Sequence, residues 1–170
     1  MNVFFTGCTH FDHANIIKLA NRPFTDVHQM NSLMVERWNA KVGKNDLVYH
    51  LGDFSFSRDY GYQRDVWDSL NGNKVLVQGN HDLHAMVQYT AARQLIEVQA
   101  HGLPGRLILC HYPIEEWNGY YKGWWHLHAH THSHDKRGAN PKKGRVNVTV
   151  EAWGYAPASV EEIREVWPTS

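Results

Sequence analysis

Short strand-like runs alternate with stretches of helical periodicity along the chain, and this alternation confines it to a layered α/β or α+β fold. Residues 2–6 read as a first strand. Residues 46–51 (DLVYHL) read as a buried second strand, and 74–78 as a third after the turn Asn71-Gly72-Asn73. Val27, Met30, Met34, Trp38 and Val42 recur at three- and four-residue spacing, which predicts a helix over 26–42. Shorter helices are expected over 13–20, over 60–70 with Tyr62, Val66 and Leu70 on one face, and over 83–92. The runs 94–99 (QLIEVQ) and 106–111 (RLILCH) flank HGLPG, turn chemistry that predicts a hairpin. Residues 112–123 lack periodicity and read as a loop, whereas WWHLHAH and 145–151 (RVNVTVE) read as strands. Ser159 and Glu162 match a capping box, so a last helix starts there.

A chain of 170 residues fits one domain, 1–170, with a core that needs no disulfide staple. Its formal net charge of zero gives no global attraction to nucleic acid or to an anionic membrane. Two cysteines do not make a disulfide framework, and no run approaches the length of a membrane span. The expectation is a soluble, cytoplasmic protein with no membrane partner. The 13 histidines, many between 101 and 134, are the first pointer to metal.

The apolar runs end in residues that bind cations. Cys8 and His10 follow the first strand and Asp53 follows DLVYHL. Asn80 follows KVLVQ, His111 ends RLILC, and His130 and His132 end WWHLHA. Strand ends bring together residues distant in sequence, and this edge is where layered sheets usually form sites. Carboxylate, imidazole and amide oxygen suit two hard or borderline cations, and an aspartate has two oxygens with which to bridge them.

The segments CTH, GD, GNHD, CHYP and AHTH, taken as a set, resemble the calcineurin-like metallophosphoesterase superfamily. THFDHANII, NRPF, VYHLGDF and HLHAHTHSH are similar to a small bacterial and phage branch of it. The resemblance spans about Val3 to Trp153. It implies an α/β fold, a four-layer α/β/β/α sandwich of two packed mixed sheets flanked by helices. It implies one metal at Cys8, His10, Asp53 and His132, and another at Asp53, Asn80, His111 and His130, with Asp53 shared. The cofactors would be two divalent or trivalent transition-metal ions: manganese, zinc or iron. A hydroxide between them would attack a phosphate ester, a phosphodiester before a monoester. His81 would contact phosphate or protonate the leaving group, and Asp82 would orient its ring. His13 and Arg22 are candidate substrate contacts, with structural roles as the alternative.

Cys8 departs from that pattern, which has aspartate there. A metal deprotonates a coordinating thiol, so Cys8 would favour zinc or iron; the alternative is a decayed site that only binds metal or phosphate. Asp12 is a possible substitute carboxylate, and Ala129 stands where glycine is usual. His126, His128 and His134 alternate with the two expected ligands, so periodicity does not say which bind; structural roles are favoured for these three. The basic run Lys136, Arg137, Lys142, Lys143 and Arg145 is a solvated loop or an arm for a nucleotide or nucleic acid, which would make the protein a nuclease.

Overall fold

In the computed structural model, which describes residues 1–82, 94–99 and 101–167, the strands form two four-stranded sheets. The first has the order β3 (Asn73–Leu76), β2 (Leu47–His50), β1 (Val3–Thr6) and β8 (Ala158–Ser159). Its first three strands are parallel, and β8 adds antiparallel to β1. The second has the order β4 (Leu95–Gln99), β5 (Arg106–Cys110), β6 (Trp125–His128) and β7 (Arg145–Asn147). The expected hairpin is the antiparallel pair β4–β5, and β5, β6 and β7 run parallel.

The two-residue alternation of strands sorts the core into two layers. Val3 and Phe5 of β1 meet Leu107 and Leu109 of β5 and Trp125 and Leu127 of β6 in one cluster between the sheets. Phe4, Val48 and Leu76 face the other way, onto α1 (Ala14–Leu19) and α2 (Val27–Lys41). Met30, Met34 and Trp38 supply the buried stripe of α2, and Asp26 caps it by accepting the Gln29 amide. Val66 and Trp67 of α3 (Tyr60–Ser69) pack against the same layer. α4 (Val160–Arg164) opens with the expected capping box at Ser159 and places Val160 and Ile163 in the core between the sheets. The result is an α/β sandwich of two mixed sheets flanked by helices. Phe5, Leu51, Leu107, Leu109 and Leu127 are fully buried there, each worth about 1.5–3 kcal/mol of transfer free energy.

The run 145–151 does not continue as one strand. β7 stops at Asn147, whose side-chain amide donates to the Ser133 and Asp135 carbonyls while its Oδ1 accepts the Thr149 amide. A side chain that bonds the backbone competes with the sheet ladder. Thr149 then bridges to Gly7 beside the first sheet, and Val150–Trp153 forms a 3-10 turn. The helix expected over 83–92 lies outside the described residues. No helix among the described residues is long and apolar enough to cross a membrane.

Candidate metal centre

Pairing between β1 and β2 outlives the strands. Beyond them, Cys8 donates to the Gly52 carbonyl, His10 to that of Asp53, and Phe11 to that of Phe54. These bonds set the first and second ligand loops side by side. Across the sandwich, the Ala129 amide donates to the His111 carbonyl and so aligns two more loops. The loops are sharply bent. Cys8, His10, Asp53, His130 and His132 all have positive φ, between 48° and 66°. Left-handed backbone costs a non-glycine residue about 1–3 kcal/mol and gathers where function over-determines the chain. It also answers the question periodicity left open. β6 ends at His128, and the bends at His130 and His132 swing those two rings toward the other ligands.

Crowding at the rim explains two small residues. A Cβ on Gly79 would stand 2.3 Å from Asp53 Oδ1, so only glycine lets the Asn80 loop approach. A Cβ on Gly7 would stand 2.6 Å from the Ala129 methyl, so Ala129 occupies space that Gly7 leaves and displaces no ligand.

The ligand atoms converge on one carboxylate oxygen. Asp53 Oδ1 accepts the His81 amide at 2.9 Å, leaving Oδ2 3.5 Å from His10 Nε2 and 3.4 Å from His111 Nε2. His111 Nε2 is also 3.0 Å from Asn80 Oδ1 and 3.1 Å from His130 Nδ1. A tetrahedral ion with ligand bonds of about 2.0–2.1 Å has ligand-to-ligand edges of roughly 3.3 Å. Cys8 Sγ, His10 and His132 gather their donor atoms within 4.8 Å of one another, and so do Cys8, Asp53 and His111. The seven expected ligands are thus brought to one rim.

The protonation states fit a cation. His111 Nδ1 lies 2.7 Å from the Leu51 carbonyl, an acceptor only, so Nδ1 carries the proton and Nε2 turns a lone pair inward. His132 Nδ1 lies 2.9 Å from Glu151 Oε1, which fixes its ring in the same way. His10 is 2% exposed, yet neither ring nitrogen has a hydrogen-bond partner among the described residues. Burial, then the neighbouring His132 and Arg22, push its pKa well below the ordinary value, so its ring is neutral. Burial and then the charges of Asp53 and Glu151 push the Cys8 thiol well above its usual range, although the His130 amide donates to Sγ at 3.1 Å. Lone pairs that face one another in a buried site repel. A cation satisfies them, and the residues present fit one.

Several roles need correction. Arg22 makes no substrate contact: its side chain is fully buried. Nε and Nη2 donate to Glu151 Oε1, while Nη1 and Nη2 donate to the Thr9 and Cys8 carbonyls. It holds the first ligand loop and, through Glu151, the His132 ring. Asp82 is buried and accepts the amides of Asp53, Phe54 and Gly79, so it fixes two ligand loops where orientation of His81 was expected. Asp12 is exposed and lies outside both ligand groups, its amide bonded to Asn31. His81 is exposed at the mouth, its ring 5.5 Å from that of His10. His13 stands at the start of α1 and stacks on Phe56 at 4.0 Å.

Glu151 is the contributor that motif reading missed, and an acid inside the apolar run RVNVTVEAW was its one signal. Burial alone would raise its carboxyl, but the His132 hydrogen bond and the Arg22 charge outweigh that and hold it below its ordinary value. His50 supports the site from behind: Nε2 meets Thr9 Oγ1, which donates to the Phe54 carbonyl. His126, His128 and His134 are spent on backbone groups of Ile108, Ala129 and Ala20. The basic run is largely spent too. Lys142 and Arg145 pair with Glu115, Arg137 lies over Trp167, and Lys136 lies over Trp153.

No protein-family model matches the chain. It is similar in sequence to the gene 66 protein of Mycobacterium phage D29, with 28% identity over 97% of this chain and 95% of that one. Its fold matches the crystal structure of AQ665, a protein of unknown function from Aquifex aeolicus, with a TM-score of 0.69 and 26% identity over 97% and 98% of the two chains. With 34% identity over 95% of its length and 88% of the relative's, the chain belongs to one family with the uncharacterized protein MJ1445 of Methanocaldococcus jannaschii.

Proposed function

We propose that the protein is a binuclear-metal-dependent phosphoesterase that acts on phosphodiesters in preference to monoesters. The observation that carries this reading is Asp53 Oδ2, placed 3.5 and 3.4 Å from two imidazole nitrogens that belong to different ligand sets. Cys8, His10, Asp53 and His132 would hold one ion, and Asp53, Asn80, His111 and His130 the other. Sulfur in the first set favours zinc or iron over magnesium, with manganese admitted by the oxygen and imidazole donors. Such a pair supplies an activated water and neutralises charge that grows on a phosphoryl group.

The chain's own residues do the rest. His81 fixes Asp53 through its amide and presents its ring at the open mouth, within reach of a phosphate oxygen or a leaving oxygen. Asp82, Arg22 and Glu151 keep the loops and the His132 ring in place, so the cage is formed before substrate arrives. Two free, buried cysteines suit a reducing compartment, and we place the protein in the cytoplasm. Within the basic run Lys142 and Arg145 pair with Glu115, which weakens the nuclease reading at those two positions.

Elemental analysis of protein purified without added metal, followed by assays with an aryl phosphodiester and an aryl phosphomonoester, tests the reading. Two ions per chain and faster turnover of the diester are expected. One ion or none, with no hydrolysis in Mn²⁺, Zn²⁺ or Fe²⁺, would favour a non-catalytic binding module disabled at Cys8.

A further inference from the structure

A second cavity opens directly beside the cage. It has a volume of about 440 Å³ and shares Asn80 and His81 with the metal centre. Its other walls are Phe56, Arg58 and Tyr60, with Ser55, Ser57 and Gln63. That volume falls among the roughly 300–1,000 Å³ of small-molecule sites. A phosphorus held at the cage therefore has one ester substituent facing this space.

The walls say what that substituent is. Phe56 is 48% exposed and Tyr60 44%, an unusual amount of aromatic surface left open beside a polar site. Phe56 does not dangle. His13 lies against it at 4.0 Å with an interplanar angle of 14°, and the edge of His81 braces it at 5.4 Å. A ring pinned in this way is a flat platform that loses little freedom when another ring lands on it. Arg58, exposed between the two aromatics, has no ion-pair or hydrogen-bond partner among the described residues. The adjacent carboxylate, Asp59, is committed to the Gly61 and Tyr62 amides at the start of α3. An unpaired guanidinium beside aromatic faces suits a planar group rimmed with acceptors, which an alkyl or lipid substituent is not.

We propose that this cavity binds the base of a nucleoside phosphodiester, with the base stacked on Phe56 and its acceptor edge, or a further phosphate, met by Arg58. The proposal deepens the phosphoesterase reading and rests on it for the position of the phosphate, but its binding test is independent of hydrolysis.

Calorimetric titration of the full chain, with and without added Mn²⁺, would compare adenosine 5′-monophosphate with ribose 5-phosphate. The nucleotide should bind about tenfold tighter or more, the effect of one base on an aromatic platform. Phe56→Ala should remove that difference and Phe56→Trp should keep it. Because Phe56 is half exposed, the alanine variant should fold, which circular dichroism verifies. Equal affinity of the wild-type protein for the two probes overturns the proposal. If the aryl diester is hydrolysed nonetheless, the phosphoesterase reading stands without it. Base-dependent binding in a protein that holds no metal and hydrolyses nothing would keep the cavity and sink the catalytic reading.

Discussion

The two halves of the cage are built from similar donors but held by different means. His111 Nε2 lies 3.0 Å from Asn80 Oδ1 and 3.1 Å from His130 Nδ1, and the lone pair of His111 is aimed by a main-chain carbonyl of the facing sheet, that of Leu51 just beyond β2. Cys8, His10 and His132 gather their donor atoms within 4.8 Å of one another. His132 is aimed by a side chain, Glu151, which is itself held by Arg22 across 129 residues of sequence. One half is set by backbone that the sheets fix anyway, and the other by a buried ion pair that a single substitution can remove. The half with sulfur in it is thus also the half with the more fragile support.

The sharpest way to break the comparison is to remove what the halves share. Asp53→Ala should empty both, since its Oδ2 faces His10 and His111 alike. Metal content should fall toward zero and diester turnover by about 10³-fold or more, the worth of several kcal/mol of charge stabilisation. If the variant keeps one full equivalent of metal, Asp53 serves one half alone.

Cys8→Ala should separate the halves. The first should lose its ion, with affinity reduced by more than the roughly 10–100-fold that loss of an outer partner costs. Near one equivalent should remain on the Asn80 side. Cys8→Asp should restore two equivalents and shift preference from zinc toward manganese, because oxygen replaces sulfur. Full occupancy in the alanine variant would show that the thiol is no ligand.

Glu151→Gln attacks the support and leaves the donors in place. Metal affinity in the Cys8 half should fall about 10-fold, and stability by about 3–5 kcal/mol because Arg22 keeps a buried, uncompensated charge. The carboxyl is held below its ordinary value of 4.5, so its stabilisation is present above that pH and is lost as pH falls through the lower folded value. The wild-type protein should therefore approach the variant in denaturant melts as the pH is taken progressively below 4.5. A Glu151→Gln protein as stable as wild type at pH 7 would remove the distinction between the halves.

The same contrast marks what was legible in the sequence. Donor types and their places at strand ends were legible, because apolar runs with period two announce where a strand stops and which residue follows it. Cys8, His10, Asp53, Asn80 and His111 stand at such ends, whereas the choice of His130 and His132 among the alternating histidines of 126–134 came from the family resemblance and not from periodicity. The supports were not legible. Arg22 and Glu151 meet through the fold alone, and Asp82 looks from sequence like a partner of the adjacent His81, whereas in space it serves amides at 53, 54 and 79. A layered α/β or α+β fold was legible from the alternation of strand and helix patterns, while the two-sheet sandwich came from the resemblance; the structure then places Phe5 and Phe4 on opposite faces of β1. The early end of β7 was not legible, because the apolar pattern runs on to Val150 while Asn147 turns its side chain onto the backbone.

The smallest effect on chemistry is expected where a histidine of the same run points away from the cage. His126 sits on the outer face of the second sheet, with Nδ1 meeting the Ile108 carbonyl and Nε2 accepting the Ile114 amide. Burial pushes its pKa down to about 3, so the folded protein keeps it neutral. The unfolded chain protonates it below its ordinary value of 6.5. Unfolding therefore takes up a proton between those limits, and stability falls as pH drops through the window. His126→Gln removes that one proton. Its turnover should stay within about twofold of wild type, and it should lose about 1–3 kcal/mol at pH 7 for hydrogen bonds imperfectly replaced. Its further loss between pH 7 and pH 5 should be smaller than that of wild type by about 2 kcal/mol. Urea melts at the two pH values measure the difference. Parallel pH profiles would mean that the ring titrates in the folded protein and that the outer face of the second sheet is more open to water than its packing against Trp117 implies.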